Sequence, residues 1–315
     1  MTMTDRTAAS PRPRTAGATP ARLLWQRFLR HHLAVASLII LIVLSLMSLL
    51  APAFEWLLGI DATSVDLLKR MAPPSLAHPL GTDDLGRDLF LRLLYGGRVS
   101  LLVGILAALV AAVIGTALGL IAGYFGGKLD AILMRLTDGV IALPLLPLLI
   151  VLAAVDLGKV GVPAAIANDE SVSLYRIVAI IALVGWTTVA RLVRGATLSL
   201  RERDFVLAAI AQGASAWRVM TRHILPNAVS PIVVATTLSV GNVILLESVL
   251  SFLGLGIQPP AASWGNMLTN AQETIWSAPM LATYPGLLIF VTVIAFNFLG
   301  DGLQDALDPR ATSSR

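Results

Sequence analysis

Cysteine is absent from all 315 residues, which excludes structural disulfides, thiolate nucleophiles and thiolate-held metals. Charge is scarce as well. Only 13% of residues are Asp, Glu, Lys or Arg and only 6% are aromatic, whereas a soluble domain carries about a quarter charged residues; a water-facing globule is therefore excluded. The four histidines, His31, His32, His78 and His223, have no partners at metal-ligand spacing. No HExxH helix and no GxSxG elbow occurs, so nothing in the chain calls for an enzyme or a bound metal. Gly123, Gly127 and Lys128 bear a superficial likeness to a phosphate loop, but that loop needs four residues between its glycines and then Lys before Ser or Thr. Here three residues intervene and Leu129 follows, so no nucleotide site is read from them. A repeated selectivity filter or a ring of like charges, which a channel would need, is also missing.

What is present is apolar. Hydrophobic residues make up 56% of the chain and mean hydropathy is +0.80. The apolar residues are gathered into long runs separated by charged punctuation, not into short alternating strands. The expected fold class is an all-α polytopic membrane protein with six transmembrane helices and both termini cytoplasmic. Its expected organisation begins with a cytoplasmic tail, 1–32, whose Thr-, Ala-, Pro- and Arg-rich start has no apolar period and reads as disordered. A first span, 33–53, follows; it is too long, and its leader too long, for a cleaved signal peptide. An extracytoplasmic loop, 54–97, leads to a core of five spans, 98–306, and a cytoplasmic tail, 307–315. Within the core the spans are expected at about 99–122, 140–155 (broken by Pro144 and Pro147), 177–190, 228–252 and 284–299. In the loop, Thr82 or Asp83 is the expected N-cap of an interfacial helix with Leu85, Leu89 and Leu93 on one face.

The isoelectric point near 9.8 does not point to nucleic acid, because the basic residues cluster beside the spans. Of the 23 Lys and Arg, sixteen fall on segments assigned to the inside and seven on segments assigned to the outside, as the positive-inside rule requires for an even number of spans. A multi-pass membrane protein is expected.

Between the fourth and fifth spans lies a polar island, 191–227. In its stretch RERDFVLAAIAQGASAWRVMTRHILPN, apolar residues recur at Val206, Ile210, Gly213, Trp217, Met220 and Ile224, the spacing of one helix face. Arg201, Arg203, Arg218 and Arg222 flank it, and Gly213, Ala214 and Ser215 sit where small residues allow a bend or the approach of a partner. Periodicity alone fits two readings equally, a helix on lipid headgroups or a docking element. Elsewhere in the membrane runs, Glu247 is the one clear acid, with Asn242 and Asn297 as further polar groups. Such residues face a cavity, a path or a partner helix: they either line the translocation path or its gate, or serve a structural hydrogen bond, from Glu247 to Asn242 or to a serine.

The word order of five blocks carries a family resemblance. HPLGTDDLGRD, AGYFGG, the polar island, ESVLSFLGLG with PPAASWGNML, and FNFLGDGLQDALDPR occur in the order found in permeases of ATP-binding cassette importers for dipeptides, oligopeptides and nickel, and the chain resembles the second permease subunit of that family. The island is similar to the family's EAA loop: Ala208, Ala209 and Gly213 stand at matching positions and Leu225 and Pro226 match its ending, while Leu207 replaces the Glu and His223 the first Ile. The resemblance implies the type I importer permease fold and a coupling helix that meets the ATPase through Phe205, Val206, Leu207, Ala208, Ala209, Ile210, Gly213, Ala214, Trp217, Arg218, Leu225 and Pro226. By the helix-in-groove mode, Val206, Ile210 and Trp217 are expected in the groove. It also implies a homologous permease partner, two cytoplasmic ATPase subunits that use ATP and Mg, and an extracytoplasmic solute-binding protein; this chain itself binds no cofactor. Di- or oligopeptides are the expected solute, with nickel, glutathione or another small solute as alternatives of the same architecture, and an ion-coupled secondary carrier or a membrane scaffold as the competing classes.

Overall fold

The computed structural model of the protein describes residues 20–156, 158, 159, 161, 163 and 170–307. Among these residues every extended element is a helix, and the only β-type pairing is an isolated bridge between Thr82 and Asp88. That outcome follows from the solvent: hydrocarbon offers no partner to a peptide group, so each segment must satisfy its own backbone. The helices of eight residues or more are α1 Pro20–Arg30, α2 His32–Leu49, α3 Ala51–Leu58, α4 Leu89–Phe125, α5 Gly127–Ala142, α6 Leu145–Ala153, α7 Glu170–Arg201, α8 Asp204–Ala211, α9 Leu225–Phe252 and α10 Met280–Leu307. Five helical stretches are long and apolar enough to cross a membrane: α2, α4, α7, α9 with its helical lead-in from Ala216, and α10.

The third expected span is not one helix. Its residues divide between α5 and α6, which meet at 88°. Pro144 is the N-cap of α6, and it disfavours helical backbone at Leu143 before it, whose ψ is 139°. Pro147 lies within the first turn of α6, where its missing N–H costs nothing. At 9 residues, α6 is roughly 14 Å long, far short of a bilayer core of about 30 Å.

Three expectations change. Residues 20–30 of the tail read as disordered form α1, which Phe28 pins against Ala34 and Ala306; residues 1–19 and 308–315 lie outside the described residues. The expected outer loop is shortened from both ends by α3 and by the start of α4. The cap of α4 is neither Thr82 nor Asp83 but Asp88, whose Oδ1 accepts the Leu91 amide at 2.8 Å. Asp83 is committed elsewhere. Its Oδ1 accepts the amides of Leu85 and Arg87, and its Oδ2 pairs with Arg87 Nε at 2.8 Å. The block HPLGTDDLGRD is thus a self-bonded turn that starts α4, with His78 Nδ1 at 3.0 Å from Asp88.

The core is built on α4. At 37 residues it is roughly 55 Å long, and its most extensive partner is α7. Gly115, Gly119 and Gly123 form a seam: a Cβ on them would lie 2.5 Å from Trp186 O, 2.6 Å from Ala190 O and 2.6 Å from Thr197 Cβ. Lipid is as apolar as the helices, so association rests on close packing, and only hydrogen at these positions permits it. A larger cluster at the other end of α4 joins Val103, Ala107, Ile177, Ile181, Ile244 and Trp264.

Gly119→Leu is expected to separate α4 from α7. An overpacked core site costs about 1–3 kcal/mol or more, so the purified variant should show a clearly lower thermal midpoint in detergent. Gly195→Ala on α7, where an added Cβ would meet nothing within 4 Å, should leave the midpoint unchanged; a stable Gly119→Leu protein would refute the seam.

Candidate functional site

The polar island folds as a short helix, a turn and a bent helix start. α8 spans Asp204–Ala211, the chain turns at Gly213 with φ +82°, and Ser215 caps the next turn by accepting the Arg218 amide. Val219–Ile224 is a π turn that runs into α9. A single apolar face from Val206 to Ile224 is therefore corrected, because the turn at Gly213 resets the phase. Val206 and Ala209 face inward, and Val206 is fully buried among Leu120, Val189, Val193, Val219, Met220 and Ile224. It is not available to a partner's groove as expected.

Outward from the same short helix project Phe205, Leu207, Ala208 and Ile210, and beyond the turn Trp217, 73% exposed, and Arg218. Gly213 is itself exposed and Ala214 half-buried; Leu225 is half-buried and Pro226, at the start of α9, is exposed. Polar contacts tie this end to the rest. Arg201, three residues before α8, donates from Nη1 to the carbonyls of Gly123 at 3.1 Å and Tyr124 at 3.4 Å, at the C-terminus of α4, where a cation complements the helix dipole. Arg194 grips Asp130 on α5 through both Nε and Nη2, the latter at 2.6 Å, and Arg191 pairs with Asp138. These contacts tie α7, which leads into α8, to α4 and α5, while α8 itself is held by the packing of Val206.

Halfway along the bundle, at the elbow between α5 and α6, lies a cavity of about 420 Å³. Its polar lining comes from Thr187, Thr188, Ser239 and Asn242, among Leu143, Leu145 and Leu149. Asn242 therefore does face a cavity. Asn297 is exposed on α10 and lines no part of it.

Glu247 is fully buried and lines neither this cavity nor an exposed path. Its Oε2 accepts Ser100 Oγ at 3.1 Å and its Oε1 accepts Ser251 Oγ at 2.7 Å. Each hydroxyl in turn accepts a backbone amide: Trp264 N–H on Ser100 at 3.2 Å and Ile257 N–H on Ser251 at 3.0 Å. One carboxylate therefore organises α4, α9 and the segment after α9. Trp264, 1% exposed, closes the same joint by donating Nε1–H to Leu93 O at 2.9 Å, over Gly97, whose added Cβ would lie 2.8 Å from the indole. Asn242 is not a partner of Glu247, since five residues place it on another side of the helix. Ser251, at i+4, could be found from spacing; Ser100 and Trp264, distant in sequence, carried no such signal.

Comparison with known proteins gives one family. The family model described as "Binding-protein-dependent transport system inner membrane component" matches residues 115–313, and that of the N-terminal TM domain of oligopeptide transport permease C matches residues 19–74. The chain is 43% identical over 296 residues to the glutathione transport system permease protein of Pectobacterium atrosepticum, covering 94% of this chain and 93% of that protein. It is 39% identical over 291 residues to the oligopeptide transport system permease protein of Bacillus subtilis, covering 91% and 90%. It is 39% identical over 303 residues to the dipeptide transport system permease protein of Alkalihalophilus pseudofirmus, covering 96% and 94%.

Ser251→Ala removes the bridge between Glu247 and the Ile257 amide while leaving α9 intact. Amide exchange of residues 253–268 should then accelerate by about tenfold or more, the equivalent of one lost buried hydrogen bond, with exchange in α7 unchanged. Unaltered exchange in that segment would show that the carboxylate does not hold it.

Proposed function

The chain belongs to the family of binding-protein-dependent transport system inner membrane components, and from that premise we propose how it works as the permease subunit of an ATP-binding cassette importer for small peptides. It is a multi-pass protein of the bacterial inner membrane. The six-span arrangement treats α5 and α6 as one broken span, with both termini cytoplasmic; the bias of Lys and Arg supports this orientation. The core of the permease is 98–306, and 191–227 is its cytoplasmic coupling loop.

The observation that carries the proposal is the exposure of Phe205, Leu207 and Ile210 on a short helix whose other face is locked into the bundle, with Trp217 exposed just beyond the turn that follows it. Exposed apolar side chains on a rigid stub are what a helix-in-groove partner takes up. An ATPase subunit that closes on ATP would grip these residues, with Leu207 supplying apolar contact where the family has Glu, and Arg218 meeting its acidic rim. Val206 and Ala209 then transmit, rather than receive, the push. Through Arg201 the displacement reaches the end of α4, and through Arg194–Asp130 it reaches α5 and the elbow beside Asn242. The spans rock as bodies between inward and outward access, driven because ATP binds one of the two states better. ATP and Mg are used by the partner subunits. The full assembly in this reading has a homologous permease, two ATPases and an extracytoplasmic solute-binding protein that delivers solute to the end held by Glu247 and Trp264.

The relatives named for glutathione, oligopeptide and dipeptide transport all concern peptide-type solutes. Small peptides are therefore the proposed cargo. Glutathione is the second reading, supported by the 43% identity to a glutathione transport permease.

A cysteine placed at the exposed Ala211, in a chain otherwise free of cysteine, should crosslink to an ATPase subunit in the assembled transporter; labelling of that position from the outer face would sink the proposal. Gly213→Val should reach the membrane normally and retain ATP hydrolysis but lose at least about tenfold in peptide uptake. The reason is backbone strain and not crowding, since nothing lies within 4 Å of its absent Cβ while φ is +82°; Gly213→Asn, which tolerates that conformation, should be milder. Full uptake by the valine variant would show that the turn has no part in coupling.

A further inference from the structure

The first helix, α1, has two rows of side chains that the bundle leaves uncovered. Its inward side is fixed: Phe28 is buried against Ala34 and Ala306, and the ring of Trp25 stacks on Phe28 at 5.8 Å. On one flank lie Trp25, 56% exposed, and Leu29, 45% exposed, four residues apart and so in one row along the helix. The next row outward is Arg22, Gln26 and Arg30, all exposed. Neither of these arginines has an ion pair among the described residues. Two acids stand on the adjoining end of α10, Asp301 and Asp305; Asp305 is 3.7 Å from His31, and neither pairs with Arg22 or Arg30. The excess of positive charge is local to this part of the chain, since no Asp or Glu occurs between Asp5 and Glu55, while Arg6, Arg12, Arg14, Arg22, Arg27 and Arg30 do.

The place of α1 follows from what it is joined to. His31 alone separates it from α2, the first stretch apolar enough to cross a membrane. The backbone of His31 leaves the helix with ψ 87°, while its Nδ1 accepts the Ala34 amide at 3.1 Å to start α2. Beyond that turn the exposed apolar surface resumes at Leu33, Ile39 and Ile40, which hydrocarbon must cover in a span. α1 is thereby set at the bilayer edge. A helix there, with Trp and Leu on one flank and arginines on the next, has the pattern of one that lies in the plane of the interface. We propose that this face of α1 docks on anionic phospholipid, with Trp25 and Leu29 entering the acyl boundary and Arg22 and Arg30 meeting headgroup phosphates. Each basic side chain so placed is worth about fivefold in association with an anionic lipid surface. The proposal rests on α2 as a membrane span and not on the ATPase contact or the cargo.

Gln26→Cys, in a chain otherwise free of cysteine, places a bimane fluorophore on this face of the full chain, purified with the subunits it assembles with and held in phosphatidylcholine nanodiscs. A minor fraction of the lipid, either phosphatidylglycerol or phosphatidylcholine, bears a nitroxide near the head of its acyl chain. The labelled phosphatidylglycerol should quench the fluorophore at least about threefold more strongly than the labelled phosphatidylcholine. That difference should vanish in about 1 M salt, where charges are screened within about 3 Å. Arg22→Gln combined with Arg30→Gln, both at exposed positions, should bring the two lipids level while phosphatidylcholine still quenches. Arg22→Lys combined with Arg30→Lys should keep at least about half of the preference, because the charge is retained. Equal quenching by the two lipids with the arginines in place, or a preference that survives the double Gln variant, would overturn the inference. So would a fluorophore reached by aqueous iodide and by neither lipid, or one that another subunit shields from all three quenchers. Should the double Gln variant fail to assemble, the salt titration decides the matter on the native arginines.

Discussion

Everything in this molecule depends on how closely α4 can approach its neighbours. Inside a bilayer the hydrophobic effect does not push helices together, because lipid chains are as apolar as leucine. What remains is contact at short range and the satisfaction of every buried polar group. The seam at Gly115, Gly119 and Gly123 supplies the first against α7, and the cluster around Glu247 supplies the second against α9. Between them α4 becomes a rod fixed at both ends.

The two ends are fixed by different chemistry. At the Glu247 end the joint is dry, with a fully buried carboxylate, two hydroxyls and two backbone amides bonded in sequence around Trp264. Removing any member leaves a buried group unsatisfied, so the segment after α9 is held to a single position. At the other end the joints are arginines: Arg201 on the carbonyls that close α4, Arg194 on Asp130, Arg191 on Asp138. These pairs are partly exposed, where an ion pair is weaker and easier to rearrange. The dry joint is therefore the more rigid of the two.

The short helix α8 is positioned by Val206 and Ala209. Its exposed face has no partner among the described residues, and its buried face meets residues of α4, α7 and α9 at once. The elbow between α5 and α6, next in line through Asp130, is the least continuous part of the membrane region. A bend at a residue before proline can open or close with small changes in backbone angle, and the polar cavity containing Asn242 lies at that place.

Much of this was legible in the residues alone. Membrane class and the position of the polar island followed from composition and spacing, because hydrocarbon allows only helices and because charge marks where a chain leaves it, while the family came from the resemblance of five blocks in their order. The interruption near Pro144 was likewise readable, since Pro acts on the backbone at its own position; the break at Gly213 was legible only as a place where small residues allow a bend. The inward turn of Val206, the cap at Asp88 instead of Thr82, and the pairing of Glu247 with Ser100 and the Trp264 joint were not. Each depends on which surface of one helix meets a residue far away in the chain, and local periodicity gives a face without naming what stands opposite. Local sequence determined where the chain is helical and where Pro144 breaks it; only the packing decided which apolar residues of the polar island were buried and which were left exposed, because that depends on what stands opposite each helix face.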